Sequence, residues 1–407
     1  MLVENSFAKR MAYPEELRAV MSVARAQESR ARLWCWPELS REATPLVSLP
    51  GLARTLGVAG IDLKDESKRA SLGSFKALGA PGALISLIQR QRPDENLVAD
   101  DLFRGKHAQE LREFTVVTAT DGNHGLALAA AAHDIGCCCM IVLHRNVSAE
   151  RERAIAARGA KIVRIAGNYD ASVEEAARLA AKNDWFVVSD TSYAGYEEVP
   201  RDVMQGYGTM PAEILEQRGV EGGDACPYTH VFLQGGVGGL AAGVASYLWE
   251  WHGAGRPSFI VVEPRQADCL YQSAMAGHAA RATGSVDSVM AGLACGETSP
   301  LAWRFLQPSM DFFMTIEDDD AIEAMRVLAD GNDGDMPVVS GESGAAGLAG
   351  LIHLVRAAGL RLKTDLGAAA KVLLISTEGA TAPHEYRHRM GRSAEDVQAV
   401  ADRFVRR

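Results

Sequence analysis

Residues 114–143 read FTVVTATDGNHGLALAAAAHDIGCCCMIVL, and this stretch decides the fold class. An apolar run rich in β-branched residues precedes a glycine-containing turn, an alanine-rich segment and a second apolar run. The pattern predicts a strand over 114–119, a helix over 126–133 and a strand over 138–143. Two strands joined by a helix of this length are typical of a parallel βαβ unit.

The same alternation continues on both sides of this stretch and predicts parallel α/β sheets covered on both faces by helices. No internal repeat or Pro/Ser-rich linker separates the segments, so we expect two domains between which the chain crosses more than once. Residues 93–113 are charged and predict an irregular surface insertion, and Ser172 to Glu175 predict a capping box that opens a helix. Further strands are predicted at 60–65, 161–165, 185–189, 228–233, 258–263 and 370–375, and helices at 14–32, 74–91, 149–158, 172–183, 240–251, 319–330 and 344–358.

Composition excludes several classes of protein. The chain has 407 residues, 47% of them hydrophobic, with 42 Lys plus Arg against 52 Asp plus Glu, a net charge of −10. A nucleic-acid binder usually carries the opposite balance, and we expect neither a nucleic-acid nor a membrane partner. The seven cysteines lack zinc-site spacing, so we expect no metal site and a cytoplasmic location. We expect Cys269 and Cys295 to be buried thiols.

A second stretch, QGGVGGLAAG at 234–243, lies between a predicted strand and a predicted helix. Consecutive backbone N–H groups and a helix N-terminus would form a cradle for an anion. Gly236, Gly238 and Ala241 also fit the dinucleotide fingerprint, and Glu263 stands where a ribose-binding acid would lie. The loop alone therefore leaves three alternatives: a phosphate site, a nicotinamide oxidoreductase and a tight turn without ligand.

A lysine distinguishes between these alternatives. Lys76 lies in SLGSFKALGA at 71–80, among apolar and small residues and without an acid nearby in the sequence. Burial lowers the pKa of an amine and makes it a competent Schiff-base nucleophile. A nicotinamide enzyme has no need of such a lysine, so Lys76 disfavours the dinucleotide alternative.

Four separate blocks of the sequence, taken in order, resemble the fold type II pyridoxal-phosphate enzymes of the tryptophan synthase β family. The blocks are TPL at 44–46, GSFK at 73–76, TDGNHG at 120–125 and GGVGG at 235–239. The resemblance extends from about residue 40 to about residue 380. It implies the cofactor pyridoxal 5'-phosphate, a homodimer, and two three-layer α/β/α domains with mainly parallel twisted sheets. The smaller domain, residues 80–190, would be inserted into a larger one formed by residues 1–79 and 191–407.

Within that family the chain is most similar to the diaminopropionate ammonia-lyases. The similarity rests on Asp121 and on three further stretches, VSDTSYAGY at 188–196, GLACGE at 292–297 and STEG at 376–379. Ala380 to Ala382 depart from the acidic residues that follow this glycine in the lyases. The resemblance implies an amino-acid substrate, 2,3-diaminopropionate in D or L form or both, eliminated via aminoacrylate to pyruvate and two ammonia. A serine/threonine-type dehydratase or another β-eliminase is the alternative.

The resemblance also assigns roles to individual residues. Lys76 would form the Schiff base, with Asp121 and Asp190 on opposite faces of Cα binding the β-ammonium group and exchanging protons. Ser74 and Thr120 would contact the substrate carboxylate. The remaining cofactor contacts would be Phe75 near the ring, Asn123 at its phenolic oxygen, Ser376 or Thr377 at its pyridine nitrogen, and Gly235, Gly236, Val237, Gly238 and Gly239 at the phosphate.

Overall fold

The computed structural model describes residues 1–120 and 122–405, and its strands form two sheets. The larger sheet has seven strands in the order β1-β10-β9-β8-β11-β3-β2, of which the edge strands β1 and β2 run antiparallel to their neighbours. The smaller sheet has the order β6-β5-β4-β7 and is parallel throughout. The strands are β1 Leu2–Glu4, β2 Leu46–Ser48, β3 Gly60–Asp65, β4 Thr115–Ala119, β5 Cys138–Leu143, β6 Lys161–Arg164, β7 Phe186–Val187, β8 His230–Gln234, β9 Ser258–Pro264, β10 Phe312–Ile316 and β11 Lys371–Ser376.

Helices connect the strands and cover the sheets. The α-helices are α1 Glu15–Arg18, α2 Val23–Leu33, α3 Pro50–Leu56, α4 Ala80–Gln91, α5 Ala99–Phe103, α6 Ala108–Leu111, α7 Asn123–Ile135, α8 Ala149–Ala156, α9 Tyr169–Asn183, α10 Glu198–Gly206, α11 Thr209–Gln217, α12 Gly239–His252, α13 Cys269–Ala276, α14 Pro300–Ser309, α15 Asp318–Asp330, α16 Ala346–Arg356, α17 Ala358–Lys363, α18 Pro383–Met390 and α19 Ala394–Val405. Short 3-10 helices occupy Glu66–Lys68, Phe75–Leu78, Pro93–Glu95, Gly253–Gly255, Ala291–Leu293 and Asn332–Gly334. In the part of the chain that the structure describes, no helix is long and apolar enough to cross a membrane.

The predicted α/β fold with mainly parallel sheets is confirmed, and the larger sheet shows why the sequence specifies it. Along β8, Val231 and Leu233 belong to one hydrophobic core while Phe232 belongs to another. Successive side chains of a strand point to opposite faces, so both faces of this sheet are buried. A buried parallel strand therefore appears in the sequence as a continuous apolar run.

The four strands of the smaller sheet all lie between residues 115 and 187, whereas the larger sheet takes strands from before and after them. The domain limits at 79/80 and 190/191 stay a prediction. The limits matter for the site because β4 of the smaller sheet and the helix α7 that follows it meet β8 and β11 of the larger sheet.

Residues 93–113 are not the irregular insertion that their charge predicts. They form the 3-10 helix Pro93–Glu95 and helices α5 and α6, and they bury Leu102, Phe103 and Leu111. The Phe103 ring stacks on Trp36 with 5.8 Å between ring centroids. The charged residues face solvent while a few apolar side chains fix the segment to the core.

Several predicted helix starts are also wrong; the helix predicted over 126–133, for example, begins at Asn123. The helix predicted over 74–91 divides into the 3-10 helix Phe75–Leu78 and α4, which begins after Gly79. A Cβ on Gly79 would lie 2.8 Å from Val203 and 2.9 Å from Tyr207, so the chain makes its turn where only glycine fits. The helix predicted from Ser172 begins three residues earlier, because Asn168 rather than Ser172 caps α9 by accepting from the Ala171 N–H at 3.1 Å.

Candidate active site

A cleft opens where the carboxyl ends of β4, β8 and β11 meet, the usual position of a ligand site in parallel α/β sheets. Its empty volume is about 840 Å³, which includes space that is open to solvent. Its lining includes Phe75, Lys76, Thr120, Gly122, Asn123, His124, Arg151, Asp190, Tyr207, residues 236–240, Thr377 and Glu378.

Lys76 and Asp190 form an ion pair inside this cleft. The Lys76 Nζ lies 2.5 Å from Asp190 Oδ2, and the two side chains are only 16% and 12% exposed. Burial, the largest single influence, would lower the pKa of Lys76, but the charge of Asp190, Tyr207 and the hydrogen bond to Asp190 together outweigh burial and raise that pKa well above its ordinary value. The expectation of a lowered lysine pKa is therefore wrong while the pair is intact. Burial likewise opposes ionisation of Asp190, but Lys76 holds its pKa well below the usual range.

Aromatic and imidazole side chains surround the ion pair. The Lys76 Nζ lies 5.1 Å from the ring centroid of Phe75 and 6.0 Å from that of Tyr207. Burial raises the pKa of Tyr207 to about 12, so its hydroxyl stays protonated. The Nε2–H of His124 donates to the Val188 carbonyl at 2.9 Å, and the Nδ1 of His124 lies 3.8 Å from Asp190 Oδ2. Burial lowers the pKa of His124 and favours the neutral imidazole.

The glycine loop between β8 and α12 forms a cradle open to the cleft. A Cβ on Gly236 would lie 3.1 Å from the Gly292 carbonyl, and Gly238 has φ of 101°, a conformation that favours glycine. Side chains here would therefore close the space in which backbone N–H groups and the start of α12 can receive an anion. Gly235 is turned into the sheet, where its N–H donates to the Val262 carbonyl at 2.8 Å.

Glu263 does not stand where a dinucleotide would need it. Its carboxylate is fully buried and accepts from the backbone N–H groups of Leu270 at 2.8 Å and Tyr271 at 2.7 Å. It therefore satisfies the N-terminus of α13, and burial raises its pKa well above the ordinary value. The nicotinamide alternative loses the acid on which it depended.

Residues 38–378 match the family described as pyridoxal-phosphate dependent enzymes. The diaminopropionate ammonia-lyase of Salmonella typhimurium is 39% identical over 351 residues, which cover 84% of this chain and 86% of the relative.

The chain belongs to the diaminopropionate ammonia-lyases, within the pyridoxal-phosphate dependent enzyme family.

Further relatives agree with this membership and confirm the predicted resemblance. The diaminopropionate ammonia-lyase of Escherichia coli K12 is 38% identical over 348 residues, 84% of this chain and 86% of the relative. A crystal structure of the Escherichia coli enzyme, in complex with an aminoacrylate-PLP azomethine reaction intermediate, superposes with a TM-score of 0.84 at 35% identity over 96% of each chain. The predicted dependence on pyridoxal phosphate is confirmed by the family.

The residues present fit the cofactor of this ammonia-lyase family. Lys76 supplies a buried amine, and residues 236–239 supply an anion cradle that a Cβ would close. Thr377 lines the cleft, whereas Ser376 is fully buried and bonds Ser340 Oγ at 2.8 Å. This placement favours Thr377 over Ser376 for the pyridine nitrogen.

The predicted substrate residues are placed differently from one another. Thr120 lines the cleft, and its Oγ1 accepts from the N–H groups of Gly122 and Gly125, each at 3.0 Å. Ser74 is buried next to the lysine segment, and its Oγ has no hydrogen-bond partner among the residues described. Asp121 lies outside the described residues. Cys269 and Cys295 are buried thiols as expected.

Sequence reasoning missed Tyr207 and Glu378 and gave no role to His124, although His124 lies within the quoted block at 120–125. Glu378, within the block at 376–379, accepts a hydrogen bond from Asn123 Nδ2. Tyr207 follows α10, a helix that the sequence pattern did not predict. In the described part of the chain, no group of His, Cys, Asp and Glu could hold a metal ion.

Proposed function

We propose that this chain eliminates the β-amino group of 2,3-diaminopropionate, as the D form, the L form or both, to give pyruvate and two ammonia through aminoacrylate. The observation that carries the proposal is the carboxylate of Asp190, 2.5 Å from Lys76 Nζ inside the cleft. A substrate with a β-ammonium group needs an anion to bind that cation, whereas a hydroxyl substrate does not. The names of the relatives support the same substrate.

The cofactor would be held by residues that already face the cleft. Lys76 would bind it covalently, residues 236–239 would donate backbone N–H groups to its phosphate, and Asn123 and Thr377 would face its ring. Phe75, which lines the cleft, would pack near the ring, while Gly235 and Ser376 would support these groups from behind. Pyridoxal phosphate, when bound, supplies an electron sink for negative charge that develops at the substrate Cα.

Asp190 is suited to move a proton once Lys76 no longer carries a positive charge. The ammonium group is the largest force that lowers the pKa of this carboxylate, against burial, which raises it. Loss of the ammonium charge removes the largest influence that opposes burial, so the pKa of Asp190 rises and its carboxylate becomes a stronger base. Asp190 can then hold a proton taken from Cα or from the substrate's β-ammonium group.

The roles of the remaining substrate residues follow the resemblance. We assign Asp121 to the opposite face of Cα from Asp190, so that the two acids serve the two enantiomers. Thr120 and Ser74 would receive the substrate carboxylate, for which the unpartnered Ser74 hydroxyl is available.

The deciding experiment measures both products from purified enzyme loaded with cofactor. With D- and L-2,3-diaminopropionate we expect two ammonia for each pyruvate, because both nitrogens leave. Serine and threonine, assayed in parallel, would release one ammonia for each keto acid. Brisk turnover of serine or threonine without turnover of diaminopropionate would refute the proposed substrate in favour of the dehydratase.

We also propose that the enzyme works as a homodimer in the cytoplasm. Its family resemblance supports the dimer, and seven cysteines without disulfide spacing support a reducing compartment. Light scattering coupled to size exclusion tests the dimer directly, since a mass near 43.6 kDa would contradict it.

A further inference from the structure

Glu378 places a carboxylate at the wall of the cleft, just beyond the end of β11. The residue is 3% exposed and lines the cleft. Its Oε2 accepts from Asn123 Nδ2 and from Thr381 Oγ1 at 3.3 Å, and its Oε1 accepts from the Ser343 N–H at 3.2 Å. All three donors are neutral groups, so this carboxylate serves hydrogen bonding rather than an ion pair.

The contact with Asn123 joins the two sheets at the cleft. Asn123 is the first residue of α7, which follows β4 of the smaller sheet, whereas Glu378 follows β11 of the larger sheet, 255 residues away. The same segment also holds the lysine, because the Phe75 N–H donates to the Thr377 carbonyl at 2.9 Å. One short segment therefore fixes both Lys76 and Asn123.

The backbone around Glu378 is shaped to its side chain. A Cβ on Gly341 would lie 3.1 Å from Glu378 Cγ and 3.2 Å from its Oε1. The Gly341 N–H donates to the Glu378 carbonyl at 2.9 Å. The loop at 341–344 thus leaves the carboxylate little freedom to turn away from Asn123.

We propose that Glu378 is the positioning residue that sets the amide of Asn123 for the cofactor ring. The atom of Asn123 that meets this carboxylate is Nδ2, which donates to Glu378 Oε2, because an amide oxygen can only accept. One N–H of that group is held by Glu378, and the second stays available for the phenolic oxygen of the ring. The hydrogen bond to Glu378 fixes the orientation of the amide and with it the direction of the second N–H.

This inference rests on the proposed role of Asn123 at the cofactor, and its test begins with cofactor affinity rather than turnover. Apoenzyme is titrated with pyridoxal phosphate, and the dissociation constant is read from quenching of protein fluorescence. For Glu378→Ala we expect an affinity about 10- to 100-fold weaker, the effect of losing a hydrogen bond to a charged group. Glu378→Gln can still accept from Asn123 and should recover most of that loss.

Glu342→Gln is the matched control. Glu342 is 5% exposed in the neighbouring loop and lies 2.8 Å from Arg389 Nε rather than at Asn123. We expect its cofactor affinity to stay within about twofold of the original protein. Thermal melting of each apoenzyme identifies any variant that fails to fold, and Glu378→Gln, which keeps the shape of the side chain, remains usable if Glu378→Ala does not fold.

A double-variant cycle separates positioning from a general loss of structure. If Glu378 acts through Asn123, adding Glu378→Ala to Asn123→Ala changes the dissociation constant little beyond Asn123→Ala alone. The absorbance of bound cofactor at about 410–420 nm should change in the same way in both single variants and be restored by Glu378→Gln. Additive losses, or an unchanged affinity in Glu378→Ala, would overturn the inference. An unchanged affinity in Asn123→Ala would instead overturn the proposed cofactor site itself.

Discussion

The ion pair between Lys76 and Asp190 shifts the pKa of each group in the direction opposite to the shift that burial alone would produce. Burial would make the lysine neutral and the aspartate protonated, yet their attraction keeps both charged. A lysine must be neutral to attack a carbonyl group, so Asp190 delays the capture of cofactor even as it prepares the site for a cationic substrate. The two roles of Asp190 can therefore be separated by experiment.

Asp190→Asn should speed cofactor capture and slow turnover. Without the carboxylate, burial lowers the pKa of Lys76, so at pH 7 more of the amine is neutral and apoenzyme combines with pyridoxal phosphate faster. Turnover of diaminopropionate should fall by about 10²–10⁴-fold, the usual contribution of an acid–base group. Stopped-flow absorbance measures capture between pH 6 and 9, and a coupled pyruvate assay measures turnover.

The control for this prediction is Asp202→Asn. Asp202 forms an ion pair of the same length with Arg90, 2.5 Å, but outside the residues that line the cleft. We expect both rates to stay near those of the original enzyme. Slower capture in Asp190→Asn than in this control would contradict the electrostatic argument.

At the scale of single residues, the sequence predicts whether a side chain is buried better than it predicts which other side chain it contacts. Apolar neighbours were enough to predict that Lys76 is buried. Its partner Asp190 lies 114 residues away, and Glu378 lies 255 residues from Asn123. Such contacts depend on where strands of two sheets end, which no local pattern contains.

At the scale of elements, the loop between β8 and α12 depends on glycine at one position above all. Gly238 caps α12 with φ of 101°, and a Cβ there would lie 2.7 Å from Leu306 Cδ1. Gly238→Ala should therefore combine the cost of a left-handed residue, about 1–2 kcal/mol, with a displaced helix start. We expect cofactor affinity to fall at least about tenfold, measured by titration of the apoenzyme.

Gly219→Ala separates these two costs. Gly219 also has a positive φ, 62°, but a Cβ there would meet nothing within 4 Å. This variant should lose stability in thermal melting and keep its cofactor affinity. An equal loss of affinity in both variants would mean that stability, not the shape of the loop, governs cofactor binding.

Element prediction succeeded for most of the strands in which burial dictates the pattern. The bounds predicted for β3 and β5 agree with the structure, because strands buried on both faces give continuous apolar runs. The three-residue edge strands β1 and β2 were missed, since so few residues carry no measurable alternation, and β10 was missed although all five of its residues are buried. Helices α10 and α11 were also missed; each has a proline as its third residue, which interrupts the sequence pattern although the first turn of a helix tolerates proline.

At the scale of the whole molecule, a buried charge cluster connects segments far apart in the chain. Glu213 on α11 accepts from Lys64 Nζ on β3 at 2.7 Å and from both terminal nitrogens of Arg69 at 2.6 and 2.7 Å. Arg69 also pairs with Glu66, and all four side chains are fully buried. The cluster lies just before the lysine segment, so it fixes β3 and the chain leading to Lys76 against the helices behind them.

Glu213→Ala should destabilise the apoenzyme by about 3–5 kcal/mol, because it leaves two buried cations without their shared partner. Glu323→Ala is the control: Glu323 also lies on a helix and pairs with Arg356 at 2.6 Å, but both side chains are largely exposed, so the loss should stay below about 1 kcal/mol.

Burial alone would raise the pKa of Glu213, but Arg69 and Lys64 outweigh it and lower that pKa. Its contribution is therefore complete above the ordinary glutamate pKa of about 4.3 and is lost as pH falls through the lower folded value. Urea unfolding of the apoenzymes at pH 7 and at lower pH measures both effects, and equal losses in the two variants at pH 7 would show that the buried cluster stabilises the fold no more than a surface pair does.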